Sequence, residues 1–157
     1  MTIGTPIRSR LDTRSAEYRQ NLSAMETLWE GVAEQLSSVP TIGGQRYVDR
    51  HRTRGKMLVR ERIEALIDPD TPFLELSPLA GWGTQDPVGV GSACGIGIVE
   101  GVECAITGSD MTYRGGSANP TSWKKTARFN EIARENRLPV IVLNAVSYTH
   151  LRAHETN

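Results

Sequence analysis

Ala93-Cys94-Gly95-Ile96-Gly97-Ile98-Val99, then Glu100-Gly101, then Val102-Glu103-Cys104-Ala105-Ile106-Thr107, is the stretch on which the architecture turns. Two short apolar runs separated by two residues, the second a glycine, predict an antiparallel hairpin with a tight turn. Neither run alternates strictly with polar residues, so both strands are expected to be mostly buried. Downstream, Ser109-Asp110 leads into Arg114-Gly115-Gly116-Ser117. Asn119-Pro120 then supplies an N-cap followed by proline at the first helical position. A helix over Pro120–Asn136 is predicted, with Trp123, Ala127, Phe129, Ile132 and Ala133 on its inner side. Leu138-Pro139 ends it, and Val140–Leu143 predicts a further buried strand. The order strand, strand, glycine turn, helix, strand makes the class α/β, the last unit being a crossover between parallel strands.

Upstream, Ala80–Gly91 carries four glycines, a proline and Trp82 without periodicity. It predicts a loop long enough to be functional, with Trp82 either lining an entrance or packing. Phe73–Leu76 is a brief strand candidate. Leu58, Arg62, Ile63, Leu66 and Ile67 form a short helix closed by Asp68-Pro69-Asp70. Residues Arg46–Arg62 concentrate seven cations against Asp49 and Glu61, a local net of +5. Nearer the N-terminus, Tyr18, Leu22, Met25, Trp29, Val32 and Leu36 recur at steps of three and four, predicting a helix from Leu11 to Leu36 with one buried face.

The whole chain, 157 residues, is 38% apolar and 23% charged, with 18 Lys and Arg against 18 Asp and Glu. These values exclude a disordered, collagen-like or coiled-coil chain, and the neutral balance gives no global nucleic-acid footprint. Cys94 and Cys104 lie in strand-like runs without redox or metal-ligand spacing, so no disulfide framework and a reducing compartment are expected. No run approaches the roughly 20 apolar residues of a membrane span, and the first thirty residues lack the apolar block of a secretory signal. A cytoplasmic protein without membrane contact is the expectation.

Residues 146–157 behave differently. A parallel strand such as Val140–Leu143 should feed a loop and a covering helix. Instead Ser147-Tyr148-Thr149-His150-Leu151-Arg152-Ala153-His154 follows. It resembles the translated sequencing-adapter read-through that ends many metagenome-derived reading frames, and is expected to be a non-native tail. His150 and His154 are spaced for one helix face, but no third ligand stands beside them, so no metal site is expected.

Three stretches together resemble the β (carboxyltransferase) subunit of biotin-dependent acyl-CoA carboxylases, the methylcrotonoyl-type branch more than the propionyl type. The first is Arg54-Gly55-Lys56-Met57-Leu58-Val59-Arg60-Glu61-Arg62-Ile63, running on to Leu66-Ile67-Asp68-Pro69 and Phe73-Leu74-Glu75-Leu76. The second is the hairpin Gly95–Gly108. The third is Gly115-Gly116-Ser117 with Lys124-Lys125, Glu131-Ile132-Ala133 and Asn136-Arg137-Leu138-Pro139-Val140-Ile141. The resemblance implies a crotonase-like (ClpP/crotonase) fold of ββα units in a spiral sheet. It divides the chain into an N-terminal helical segment (1–45), a partial N-terminal carboxyltransferase domain (46–145) and the tail.

The implied reaction transfers a carboxyl group from carboxybiotin, carried on a biotin carboxylase or biotin carrier partner, to the α- or γ-carbon of an acyl-CoA. The β subunits are expected to form a homo-oligomer. Such chemistry passes through an enolate and needs backbone N–H groups aimed at the developing oxyanion. Gly115 and Gly116, before a capped helix, are candidates for that contact, or else serve a turn needing positive φ. In the family a second glycine pair, S-G-G-A or S-A-G-A, follows the strand equivalent to Val140–Leu143. Here Ala145-Val146-Ser147-Tyr148 stands in its place. The phosphates of coenzyme A need cations, for which Arg54, Lys56, Arg60, Lys124 and Lys125, with Arg50 and Arg52, are the available set. Asp110 and Glu103 are the acids near the glycine turn, and nothing pairs them as general acid and base. The competing expectation is a small non-catalytic module that binds phosphorylated ligands or nucleic acid through residues 46–62. Its single aromatic, Tyr47, argues against a base-stacking surface.

Overall fold

The computed structural model describes residues 9–144. The chain divides into two compact units, residues 1–34 and 35–157. Helix α1 (Ala16–Ser38) begins later than the periodicity suggests. Ser15 Oγ accepts the Tyr18 amide (3.1 Å) and stops the helix from extending back to Leu11. No residue of α1 is buried, and Leu22, Met25 and Trp29 are exposed. The buried face read from its spacing is therefore absent among the described residues. Helical periodicity marks an apolar stripe but not a partner for it.

In the second unit, a short 3₁₀ turn (Val39–Thr41) precedes α2 (Gln45–Thr53) and α3 (Val59–Glu64). Helix α2 is hidden in the sequence by its charge, since Val48 is its one buried residue. Glu61 starts α3: its carboxylate accepts the Leu58 amide (2.7 Å) and an Arg52 N–H (2.9 Å). The Leu58 bond first, then Arg52, holds the Glu61 carboxyl below its usual range.

Strands β1 (Leu74–Glu75), β2 (Ser92–Val99), β3 (Val102–Ser109) and β4 (Val140–Leu143) form one sheet in that order. β1, β2 and β3 pair antiparallel, while β3 and β4 pair parallel across α4 (Pro120–Glu135), as the crossover reading expects. At the hairpin tip Glu100 (φ 51°) and Gly101 (φ 76°) are both left-handed, the two-residue turn that suits strand twist. The Asp68 carboxylate accepts both turn amides at 2.8 Å, linking the end of the α3 segment to the hairpin.

The central strands are covered on both faces, which is why they read as continuous apolar runs. Val59 and Ile63 of α3 pack on Ala93, Cys104 and Ile106, and Phe129 and Ala133 of α4 pack on Cys94 and Ala105. The two cysteines thus sit on opposite faces and are free. Gly95 and Gly97 admit the α3 layer closely: a Cβ on Gly95 would lie 2.5 Å from the Phe73 ring, and one on Gly97 2.7 Å from Ile67. The inner side of α4 is Ser122, Lys125, Phe129 and Ala133, whereas Trp123 (68% exposed) and Ala127 face outward. The expected face is rotated because the buried positions include a serine and a lysine that hydrophobic counting passes over. β4 is half-buried rather than buried. Ile141 and Leu143 join the α3-side core, but Val140 and Val142 are exposed at the sheet edge.

Candidate functional site

Beyond the C-terminal end of β3, Asp110 turns the chain. Its carboxylate accepts both the amide (2.8 Å) and the hydroxyl (2.6 Å) of Thr112, an Asx-type turn. Asp110 is buried and committed to this turn. Arg114 (φ 48°), Gly115 (φ 63°) and Gly116 (φ 79°) then form three successive left-handed residues ahead of α4. The Gly116 amide donates to the Tyr113 carbonyl (2.9 Å), and a Cβ at Gly116 would lie 2.9 Å from Met111 Sδ. Of the two readings open to it, Gly116 thus has the geometry of a turn residue. A Cβ at Gly115 meets nothing within 4 Å.

Gly115 borders a cleft of about 540 Å³ whose walls come from two segments: Gly43, Tyr47, Arg50, His51, Arg54 and Lys56 on one side, and residues 111–115 on the other. The walls are pinned together where Gly43 lies against Thr112, leaving no room for a side chain. The cleft has no acidic lining residue. Among the described residues, the side chains of Arg50, Arg54, Lys56 and Arg114 make no hydrogen bond or ion pair. Four unneutralised cations facing one concavity favour a polyanionic ligand. A second hollow of about 260 Å³ shares His51, Lys56 and Met111. It reaches Ser109 and Asn144, at the carboxyl ends of β3 and β4, where open α/β sheets bind ligands.

The structure therefore brings Arg50, Arg54, Lys56 and Gly115 together and leaves the other predicted residues elsewhere. Arg60 is half-buried, with Nε and Nη2 on the Glu75 carboxylate (3.1 and 2.5 Å) and Nη1 near the Val39 carbonyl (3.4 Å). It fastens α3 to β1 and is not free to bind a phosphate. Lys124 is exposed on α4 and does not line the cleft. Lys125 is 5% exposed and donates to the carbonyls of Gly89 (3.2 Å) and Ser92 (2.7 Å). Sequence spacing could not separate these two neighbours, because the 100° step between them on a helix decides which one enters the core. Sequence reasoning passed over Tyr47, His51 and Arg114 as lining residues. The adjacency of Arg114 to Gly115 was the available signal. Residues 145–157, including the position of the second glycine pair and His150 and His154, lie outside the described residues. Among those described, no group of three His, Cys, Asp or Glu is placed to hold a metal, and no helix is long and apolar enough to cross a membrane.

The cation-lined cleft and the α/β sheet thus belong to one compact unit. The carboxyl transferase domain family matches residues 50–154, and the chain belongs to that family. It is 46% identical over 137 residues to the probable biotin-dependent acyl-coenzyme A carboxylase β2 subunit of Mycobacterium tuberculosis, covering 87% of this chain and 26% of that protein. It is 45% identical over 136 residues to the mitochondrial methylcrotonoyl-CoA carboxylase β chain of Dictyostelium discoideum, covering 85% and 23%. Among solved structures, the β subunit of P. aeruginosa geranyl-CoA carboxylase superposes with a TM-score of 0.78 at 36% identity, over 92% of this chain and 28% of that one. Transcarboxylase 12S, solved as a hexamer with methylmalonyl-coenzyme A bound, gives 0.66 at 29% identity, over 75% and 24%. The fold is the crotonase-like fold of these carboxyltransferase subunits, and the chain spans about a quarter of the length of the relatives it matches.

Proposed function

We propose that this chain is the coenzyme-A-binding part of a biotin-dependent acyl-CoA carboxylase carboxyltransferase subunit. The single observation that carries the assignment is the cleft in which Arg50, Arg54, Lys56 and Arg114 stand unpaired beside the bare backbone of Gly115. The cations anchor the phosphates of the acyl-CoA, and Gly115 is where a thioester comes nearest the main chain. Carboxybiotin, delivered by a biotin carboxylase or carrier partner, supplies the carboxyl group to the acyl carbon. The site acts within a homo-oligomer of complete subunits, as the hexamer of transcarboxylase 12S suggests. Identity to methylcrotonoyl-CoA carboxylase β chains (39–45%) exceeds that to propionyl-CoA carboxylase β chains (29–37%), which favours a branched or unsaturated acyl group.

The competing module that binds nucleic acid through residues 46–62 is weakened because Arg52 and Arg60 are committed to Glu61 and Glu75. Calorimetric titration of the chain with coenzyme A and with its 3′-dephospho form tests the assignment. Coenzyme A should bind more tightly, and Arg54→Ala with Lys56→Ala should weaken it roughly tenfold or more, as loss of two charge-assisted contacts implies. Absence of binding, or binding untouched by the double substitution, overturns it.

A further inference from the structure

Lys125 is a buried ammonium that the reaction above does not use. No carboxylate meets it; its bonds go to the carbonyls of Gly89 and Ser92. An apolar side chain would fill the same space without the desolvation cost of a charge, so packing alone does not account for a lysine here. What the ammonium does is close a chain of contacts. Between its two acceptors lie Val90, fully buried, and Gly91. The Gly91 carbonyl accepts the Asp110 amide (2.8 Å), and the Tyr113 ring lies on Gly91 so closely that a Cβ there would be 2.5 Å from the ring edge. Asp110 immediately precedes, and Tyr113 belongs to, the segment that forms one wall of the cationic cleft. The same loop is tied to the start of α4 a second time, where the Asp86 carboxylate accepts from Asn119 Nδ2 (2.8 Å) and Thr121 Oγ1 (2.6 Å).

We propose that Lys125 is a positioning residue: by gripping the Gly89 and Ser92 carbonyls from inside α4, it holds Gly91 where it fixes Asp110 and Tyr113, and so sets the 111–115 wall of the cleft. The part of this that concerns ligand binding rests on the coenzyme A assignment above. The part that concerns the wall does not. One ammonium donating N–H bonds to two carbonyls three residues apart is geometry that methionine, of similar length, cannot reproduce, while glutamine keeps N–H donors on a side chain one atom shorter.

The test is residue-resolved amide exchange by NMR on the full 157-residue chain, with coenzyme A affinity measured beside it. In Lys125→Met the Asp110 amide should exchange on the order of tenfold faster, while the hairpin amides of Gly97 and Cys104, which face each other across the ladder, keep their protection, as expected for a local opening. Lys125→Gln should fall between the two. Coenzyme A affinity should weaken several-fold in step with exchange, whereas Arg128→Met on the outer face of α4 leaves both unchanged. Unchanged Asp110 exchange overturns the proposal, as does acceleration spread equally through the hairpin, or failure of both substituted chains to fold, since each makes Lys125 a residue of general stability. A native chain that binds no coenzyme A overturns the assignment of the ligand instead, and the exchange result still decides the role of Lys125.

Discussion

At the scale of single residues, position in the fold overrides chemical type. Gly115 and Gly116 are adjacent and both left-handed, yet one borders open space and the other presses on Met111. Gly116→Ala should therefore destabilise the chain by about 1–2 kcal/mol, the cost of a side chain in the left-handed region, read as a lowered urea midpoint at unchanged slope. Lys125 also predicts a pH dependence. Burial lowers its pKa below 10.5, with Cys94, Glu75 and Arg60 as the charged or titratable groups acting on it. Between the folded value and 10.5 the folded chain binds fewer protons than the unfolded chain, so this group's contribution to stability rises with pH. The Cys94 thiol, pushed above 9.0 by burial, acts oppositely: its contribution is present below 9.0 and is lost above it. Because Cys94 is common to both proteins, the stability of wild type relative to Lys125→Met should increase as pH is raised toward 10.5. A difference that is flat or falls across this range contradicts a buried ammonium at this position.

At the scale of elements, the hairpin and the edge strand make separate predictions. The turn at Glu100-Gly101 has both amides on one carboxylate, so Asp68→Ala should cost about 1–3 kcal/mol, in line with hydrogen bonds to a charged acceptor. Asp68→Asn, which keeps one acceptor, should cost less; equal losses in the two variants would show that the carboxylate is not the link. β4 leaves Val140 and Val142 exposed on an edge that no other strand pairs among the described residues. Such edges promote self-association unless charged. Val142→Lys should therefore reduce concentration-dependent light scattering of the isolated chain without lowering its thermal midpoint.

At the scale of the molecule, the chain spans about a quarter of the length of its carboxylase relatives. We expect the isolated chain, supplied with carboxybiotin, to show no carboxylation of methylcrotonyl-CoA or propionyl-CoA above background while still binding coenzyme A. Incorporation of labelled carbonate into either thioester would contradict this. Binding without turnover fits a site in which phosphate anchoring is local to one cleft, whereas transition-state stabilisation needs donors fixed around the reacting carbon.

The hairpin, the capped helix after the glycine turn and the parallel strand beyond it were legible in the residues alone. Apolar runs, a two-residue turn ending in glycine and Asn119-Pro120 impose local conformations that no distant contact needs to choose. Family membership was legible for a related reason, because its motifs lie within continuous stretches. Which cations serve the cleft was not. Arg54 and Arg60 belong to one motif, and only the approach of Glu75, fifteen residues further on, neutralises one and leaves the other open. Lys124 and Lys125 are neighbours in sequence, and only the packing of α4 on β2 sends one to solvent and the other to the carbonyls of Gly89 and Ser92. Local backbone preference is written in neighbouring residues, but the partner of a charge is set by elements far apart in the chain.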